Sequence, residues 1–345
     1  MTHRERALAA LERRPSDVPA TQYLYTDVGV YEHGEKLNGL FAAHPGDFAP
    51  VSLIPPPVID ASLTQDGRYY EVRKDPWGTE WEYRIVGRMG HAIGFPIKND
   101  EDYDTYVLPA LPGYAVNRDV FSAEKKSVGL LKENYISLRG EGFSYMERLI
   151  ALRGFEDALC DLYEYGPRLQ RFFERLTDYY LVSLRKLLEM DIDAVHFGDD
   201  YGTQLSLLVS PEVFRKAIFP HLERLMKTIR EAGKHIHFHS CGMVRDLFPM
   251  FEELGVNSIW PQLPLYDMET LAEDCRRHKF ALAIHTDRAN AMTRGTPDDV
   301  RRLVRKEYET FRPDKNGGWF YIEVDNGFPY GNITALIEEI YKYRQ

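Results

Sequence analysis

The sequence predicts an α/β protein, a single (β/α)8 barrel of the TIM type with an N-terminal β-hairpin excursion. Two observations lead there. From Asn134 to the C-terminus, short apolar strand-like runs alternate with amphipathic helical ones. Parallel neighbours need a crossover connection, so this alternation means a parallel sheet. In addition, no GxGxxG or GxxxxGKS/T motif opens any of the helices, which leaves the doubly wound nucleotide-binding sheet without its usual support. No linker composition and no internal repeat divides residues 1–345, so one domain is expected.

The elements follow in order. Thr2 with Glu5 forms a capping box, and Ala7, Leu8 and Leu11 recur at helical spacing until Arg13-Arg14-Pro15 stops the helix. Val18–Tyr25 reads as a first strand. The signal from Thr26 to Pro57 is weak, and Pro55-Pro56-Pro57 marks a rigid extended segment. Gly67–Arg73 and Thr79–Ile85, rich in aromatic and β-branched residues, flank DPWG and predict a two-stranded hairpin. Tyr135–Leu138 is a short strand, followed by three helical stretches between Ser144 and Met190. Further strands are expected at Ala194–Gly198, His235–His239, Val256–Trp260, Phe280–Ile284 and Trp319–Ile322. Between them lie helices opened by Ser210-Pro211 and Thr296-Pro297, each with a hydroxyl cap and a pre-set first turn. Others are expected near Val244–Glu253 and Met268–Arg277, and a last helix from about Asn332. About eight strands result if two are allowed in the first third.

Composition narrows the function. The 345 residues are 44% hydrophobic, 28% charged and 13% aromatic, which excludes a disordered or collagen-like chain. A net charge of −10 argues against a broad nucleic-acid surface. Cys160, Cys241 and Cys275 are too scattered for a disulfide framework, so a reducing compartment is expected. The charged, amphipathic MTHRERALAALERR has no signal-peptide core, and no window approaches the roughly 20 apolar residues of a membrane span. A cytoplasmic protein without membrane or nucleic-acid partners is expected.

In a barrel of this kind the active site forms at the carboxyl ends of the strands. Those ends carry Arg139 and Glu141, Asp199 and Asp200, His239 and Cys241, Gln262, His285 and Asp287, then Glu323 and Asp325. His239-Ser240-Cys241-Gly242 is the sharpest motif. Strand alternation puts residues 239 and 241 on one face, and imidazole with thiolate suits zinc. A third ligand must then come from Glu323, Asp325 or His285. The bland alternative is a small buried cysteine at a turn beside a hydrogen-bonding histidine. His235 and His237 share that face but sit deeper, as core histidines. Of Asp199 and Asp200, one can face inward, as acid, base, substrate orienter or partner of a histidine. Arg139 either forks onto a carboxylate or phosphate or pairs with Glu141 or Asp200. Trp77, Trp81, Tyr69 and Tyr70 read as cross-strand packing of the hairpin.

These residues also carry a resemblance. RERALAALERRPSDVPA, DPWGTEW, GDDYGTQLSLLVSPEVFRKAIFP, HFHSCG, HTD…RGTPDDVRRLVR and GGWFYIEVDNGFPYGNI together resemble the uroporphyrinogen decarboxylase-like superfamily over nearly the whole chain. The resemblance implies a distorted (β/α)8 barrel and one of two chemistries. One is cofactor-free decarboxylation of porphyrinogen acetates, which uses an arginine-rich segment after the first strand. Here that place is TQYLYTDVG, without arginine. The other is methyl transfer linked to a corrinoid protein, with zinc on an H-x-C motif and a later cysteine. His239 and Cys241 match the motif; in place of the later cysteine stand Glu323 and Asp325, harder ligands that make zinc more electrophilic.

The resemblance therefore implies a zinc-dependent methyltransferase of the corrinoid-linked, demethylating type. Zinc is expected on His239, Cys241 and Glu323 or Asp325, and the corrinoid (cobalamin) on a separate carrier protein. The methyl group would move between a small O- or N-methylated substrate, or a thiol acceptor, and that carrier. Asp199, Asp200, Arg139 and Glu141 are expected to be catalytic, and Gln262, His285, Asp287 and Tyr201 to bind substrate. The rivals are a metal-free decarboxylase holding its substrate carboxylate on Arg139, and a non-catalytic member that binds a tetrapyrrole or corrinoid.

Overall fold

A computed structural model describes residues 1–51, 59–60, 64–65 and 67–345. The triple proline at 55–57 lies outside the described residues. Seven parallel strands form the main sheet: β1 (Ala20–Tyr25), β2 (Leu138–Arg139), β3 (Ala194–Gly198), β4 (His235–Ser240), β5 (Ser258–Pro261), β6 (Ala281–His285) and β7 (Trp319–Val324). They pair in the order β1-β7-β6-β5-β4-β3-β2, so the last strand closes onto the first and the sheet curls as a barrel does. Among the described residues β1 and β2 do not pair with each other. A cavity of about 320 Å³ lined by Gln22, Tyr25, Ile136 and Leu138 lies between them. The first third thus supplies one strand to the sheet, not two.

The floor of the barrel is set by helix α1 (His3–Leu11), which carries the expected capping box of Thr2 and Glu5. Its Ala7, Ala10 and Leu11 join Ala20, Ala194, Ala281, Ala283, Trp319 and Tyr321 in an inner core. Small alanines on three strands leave room for the Trp319 ring, whose indole N–H donates to Gln22 at 2.8 Å. A larger outer core fills the space between the strands and the surrounding helices.

Most element expectations hold. The three helices after β2 are α2 (Met146–Arg153), Phe155–Glu164 and α3 (Pro167–Leu188). Ser210 and Thr296 cap the helices they were expected to open, the second leading into α4 (Pro297–Phe311). The excursion differs: a three-stranded antiparallel sheet of Glu71–Lys74, Glu80–Tyr83 and His91–Gly94 replaces the expected hairpin, with Thr64–Gln65 and Arg68–Tyr69 paired beside it. Trp77 in the DPWG turn faces away from that sheet and meets α3, with its ring centroid 5.6 Å from Tyr179. Helices Asp27–His33, Lys36–Ala43 and Arg118–Lys132 occupy stretches for which no element was expected.

The chain ends are tied together by one carboxylate. Asp47, fully buried, takes Arg6 at 2.7 Å, Arg344 at 2.6 Å and His3 at 3.0 Å, and accepts the backbone N–H of Thr21 in β1 at 2.9 Å. Replacing Asp47 by Ala is expected to cost about 3–5 kcal/mol, because it leaves the buried Arg344 guanidinium without its anion and removes one of the two carboxylates that hold Arg6. Urea denaturation reads this as a lowered midpoint, and a loss below about 1 kcal/mol would overturn it.

Candidate metal centre

Strand register decides which side chains meet. His239 near the end of β4 pairs with Gly198 of β3 on one side and Trp260 of β5 on the other. The Trp260 ring lies against the imidazole with centroids 4.0 Å apart. His239 Nδ1–H donates to the Trp260 carbonyl at 2.8 Å, which leaves Nε2 as the free lone pair. Burial holds this imidazole below its ordinary pKa, so it is neutral. Cys241 Sγ lies 3.4 Å from that Nε2, and an Asp200 carboxylate oxygen 3.6 Å from it. One donor atom each from Asp200, His239 and Cys241 falls within a 4.8 Å group.

The backbone that presents these atoms needs two glycines. Gly242 has φ +83°, and a Cβ there would run into the backbone of Gly202, while a Cβ on Gly202 would stand 2.7 Å from the Met243 nitrogen. The loops after β3 and β4 therefore touch backbone to backbone. Asp200 adds a second tie by accepting the Cys241 N–H at 2.7 Å.

The adjacent acids divide as strand alternation requires. Asp200 faces the cluster. Asp199 is 1% exposed and accepts the backbone N–H groups of Tyr145, Met146 and Glu147 at 2.7–3.0 Å, together with the Tyr201 hydroxyl at 2.8 Å. It caps α2 and holds that helix to β3. Tyr201, expected to bind substrate, is thereby fully buried against Phe214 and Phe238. Glu147, which sequence reasoning missed, interacts electrostatically with both aspartates. Burial pushes the Glu147 and Asp199 carboxyls up, and at Asp199 three backbone N–H groups and the Tyr201 hydroxyl oppose that rise.

A cavity of about 730 Å³ opens above the cluster, lined by His239, Cys241, Gln262, His285, Asp287 and residues of the opposite wall. Gln262 accepts the Gly242 N–H at 3.1 Å. Asp287 caps the π-helix Arg288–Arg294. His285 Nδ1 accepts the Trp260 indole N–H at 3.0 Å, so its Nε2–H donates to Glu323 at 2.9 Å. Glu323 and Asp325, the expected third ligands, are held by arginines instead. Arg288 reaches Glu323 at 2.7 Å and also pairs with Asp325, and Arg88 from the excursion meets Asp325 at 2.6 Å. Among the described residues, the carboxylate that groups with the imidazole–thiol pair is that of Asp200. Arg88 and Arg288 escaped the sequence reading because nothing in their local pattern marks them.

Arg139 and Glu141 lie apart from this cluster. Arg139 pairs with Glu124 of the helix Arg118–Lys132 at 2.5 Å, a partner not foreseen. Glu141 lines a separate cavity beside Trp77. His237 is the core histidine expected, buried and bonded to Ser258 Oγ at 2.9 Å.

With this geometry in view, comparison with known proteins fixes the family. The model of the uroporphyrinogen decarboxylase family matches residues 136–322, more than half of the sequence. The chain belongs to that family. No curated protein matches it in sequence. Among solved structures, a methyltransferase from Methanosarcina mazei superposes over 100% of both chains with a TM-score of 0.67 at 15% identity, a likeness of fold. A 3-keto-D-glucoside 4-epimerase from E. coli gives 0.38 at 14% identity, over 72% of this chain and 95% of its own. No helix among the described residues is long and apolar enough to cross a membrane.

One buried acid beneath the site sets a pH dependence. Glu307 of α4 accepts the Thr286 hydroxyl at 2.8 Å, its other oxygen is buried without a partner among the described residues, and burial pushes its pKa from 4.5 up to about 8. A carboxyl with a higher pKa folded than unfolded takes up a proton on folding. Stability therefore falls as pH rises through that window. Glu307→Gln removes this slope, so the variant is expected to gain on the wild type between about pH 5 and pH 8, read as the difference in urea midpoints. A difference that does not change with pH would sink the argument.

Proposed function

We propose that the chain is a zinc-dependent methyltransferase acting on a small O- or N-methylated substrate, with the corrinoid of a separate carrier protein as its methyl partner. The observation that carries this reading is the gathering of donor atoms of His239, Cys241 and Asp200 within 4.8 Å of one another, beside a 730 Å³ cavity that His239 and Cys241 line. Imidazole, thiolate and carboxylate form a donor set that suits zinc and leave a fourth position for substrate. The carbonyl of Trp260 fixes the tautomer that presents Nε2, as the outer partners of metal-bound histidines do. The Methanosarcina mazei neighbour, itself a methyltransferase, supports the same direction.

In this reading Asp200 takes the place of Glu323 or Asp325 as third ligand. A bound zinc would supply Lewis acidity toward the heteroatom that carries the methyl group. The chain's own residues do the rest. His285, with its proton directed at Glu323, and Gln262 orient the substrate from the two sides of Trp260. Glu147 is placed near Asp200 and Cys241 to give a proton to the departing heteroatom. Asp199 positions Glu147 through the first turn of α2.

Arg88 and Arg288 line the same cavity and favour a second reading, a metal-free decarboxylase that holds a substrate carboxylate there. Metal analysis separates the two. About one zinc per chain is expected in the wild type. It should be lost in Cys241→Ala and Asp200→Ala and kept in Glu323→Gln, and methyl transfer to a corrinoid carrier should follow the metal. Protein that stays metal-free after zinc is offered, yet releases CO2 from a substrate, establishes the second reading.

A further inference from the structure

The second cavity, about 220 Å³, lies at the carboxyl end of β2 between the DPWG turn and α3. It has no part in the function proposed above. Its lining carries two opposite charges that do not meet. Arg148 of α2 stacks its guanidinium 3.9 Å from the Trp77 ring centroid. Its Nε is buried without an acceptor, and no carboxylate lies within ion-pair distance among the described residues. Glu141, on another part of the lining, likewise has no cation within that distance; Arg139, two residues away, is taken by Glu124. Ser183, 2% exposed, contributes a buried hydroxyl that has no partner among the described residues.

The remaining walls are proline, alanine and aromatic side chains. The Tyr179 hydroxyl donates to the Ala110 carbonyl at 3.1 Å and the Tyr180 hydroxyl to the Ser144 carbonyl at 2.9 Å, so these residues offer ring surface to the cavity. A half-buried guanidinium without an anion is costly, as is a buried hydroxyl without a partner. A guanidinium fork matches a carboxylate, and a carboxylate beside aromatic rings matches an ammonium group.

We infer that this cavity binds a small zwitterion, its carboxylate on Arg148, its ammonium group on Glu141, and a further hydrogen bond to Ser183 Oγ. The cavity is of amino-acid size and too small for a tetrapyrrole. The site uses none of the atoms of the His239–Cys241 cluster.

The test is calorimetric titration of the full chain with glycine, β-alanine, γ-aminobutyrate and 6-aminohexanoate, and with their N-trimethyl forms. These span the range of charge separations. Acetate and n-butylamine serve as single-charge controls. At least one zwitterion is expected to saturate one site and to bind tenfold or more tightly than either control. Arg148→Gln and Glu141→Gln should each weaken it at least tenfold, while Cys241→Ala leaves it unchanged. Both polar variants should keep the wild-type thermal midpoint within a few degrees, and Arg148→Lys should restore part of the affinity. The inference is overturned if no zwitterion saturates, if acetate or n-butylamine alone binds as well, or if well-folded Arg148→Gln binds as the wild type does. Loss of binding in Cys241→Ala would also overturn it, by placing the ligand in the other cavity. A failure of the zinc reading leaves this titration untouched.

Discussion

The joint that positions the donor cluster depends on the buried Asp199 carboxylate. A charge 1% exposed persists only where hydrogen bonds replace its hydration, and here three backbone N–H groups at a helix start and one tyrosine hydroxyl do so. The helix start contributes its dipole in the same direction. The result is a fixed joint between β3 and α2. From that joint α2 directs Glu147 toward Asp200 and carries Arg148 to the cavity beside Trp77. The next residue in the chain must turn the other way, and Asp200 does so toward His239 and Cys241. One dipeptide thus sets both the scaffold and the donor cluster.

The opposite wall of the main cavity follows a different rule. Glu323 and Asp325 are buried acids answered by Arg288, Arg88 and the His285 N–H. Pulling either acid onto a metal would draw it away from the arginine it already holds, and Glu323 also from the His285 N–H. Asp200 carries no such obligation among the described residues: it accepts the Cys241 N–H and faces the His239 ring, both already parts of the cluster. That difference in prior commitment, more than distance alone, favours Asp200 as the third donor.

The calorimetric and metal measurements draw on side chains that the sequence made legible to very different degrees. Strand and helix periods were plain after Asn134 because each element there has one buried face, and the Ser-Pro and Thr-Pro caps mark their own helices. The pairing of His239 with Cys241 was legible because a two-residue spacing on a strand end is a geometric statement. The identity of the third donor was not, since it depends on which of several strand-end acids has already been claimed by an arginine. Arg88 arrives from a β-excursion more than two hundred residues away from Asp325, and Arg139 finds Glu124 on a helix whose local pattern is mostly polar. Those are long-range choices, and no local period records them.

The two adjacent acids show the same limit at its smallest scale. Alternation told that Asp199 and Asp200 point apart, but not which of them meets the cavity. The answer lies in what waits on each side. Toward α2 there are unsatisfied N–H groups, which draw a carboxylate out of water. Toward β4 there is a neutral imidazole with its lone pair free and a thiol pushed up to about 12 by burial beside Asp200. An uncharged imidazole and an un-ionised thiol do not by themselves balance the charge of the half-exposed carboxylate beside them. A divalent cation does: it would make the thiolate favourable, take up the carboxylate charge and use the imidazole lone pair together. In the proposed reading the depressed basicity of His239 and the raised pKa of Cys241 are what a metal site costs when its atoms are held ready for an ion.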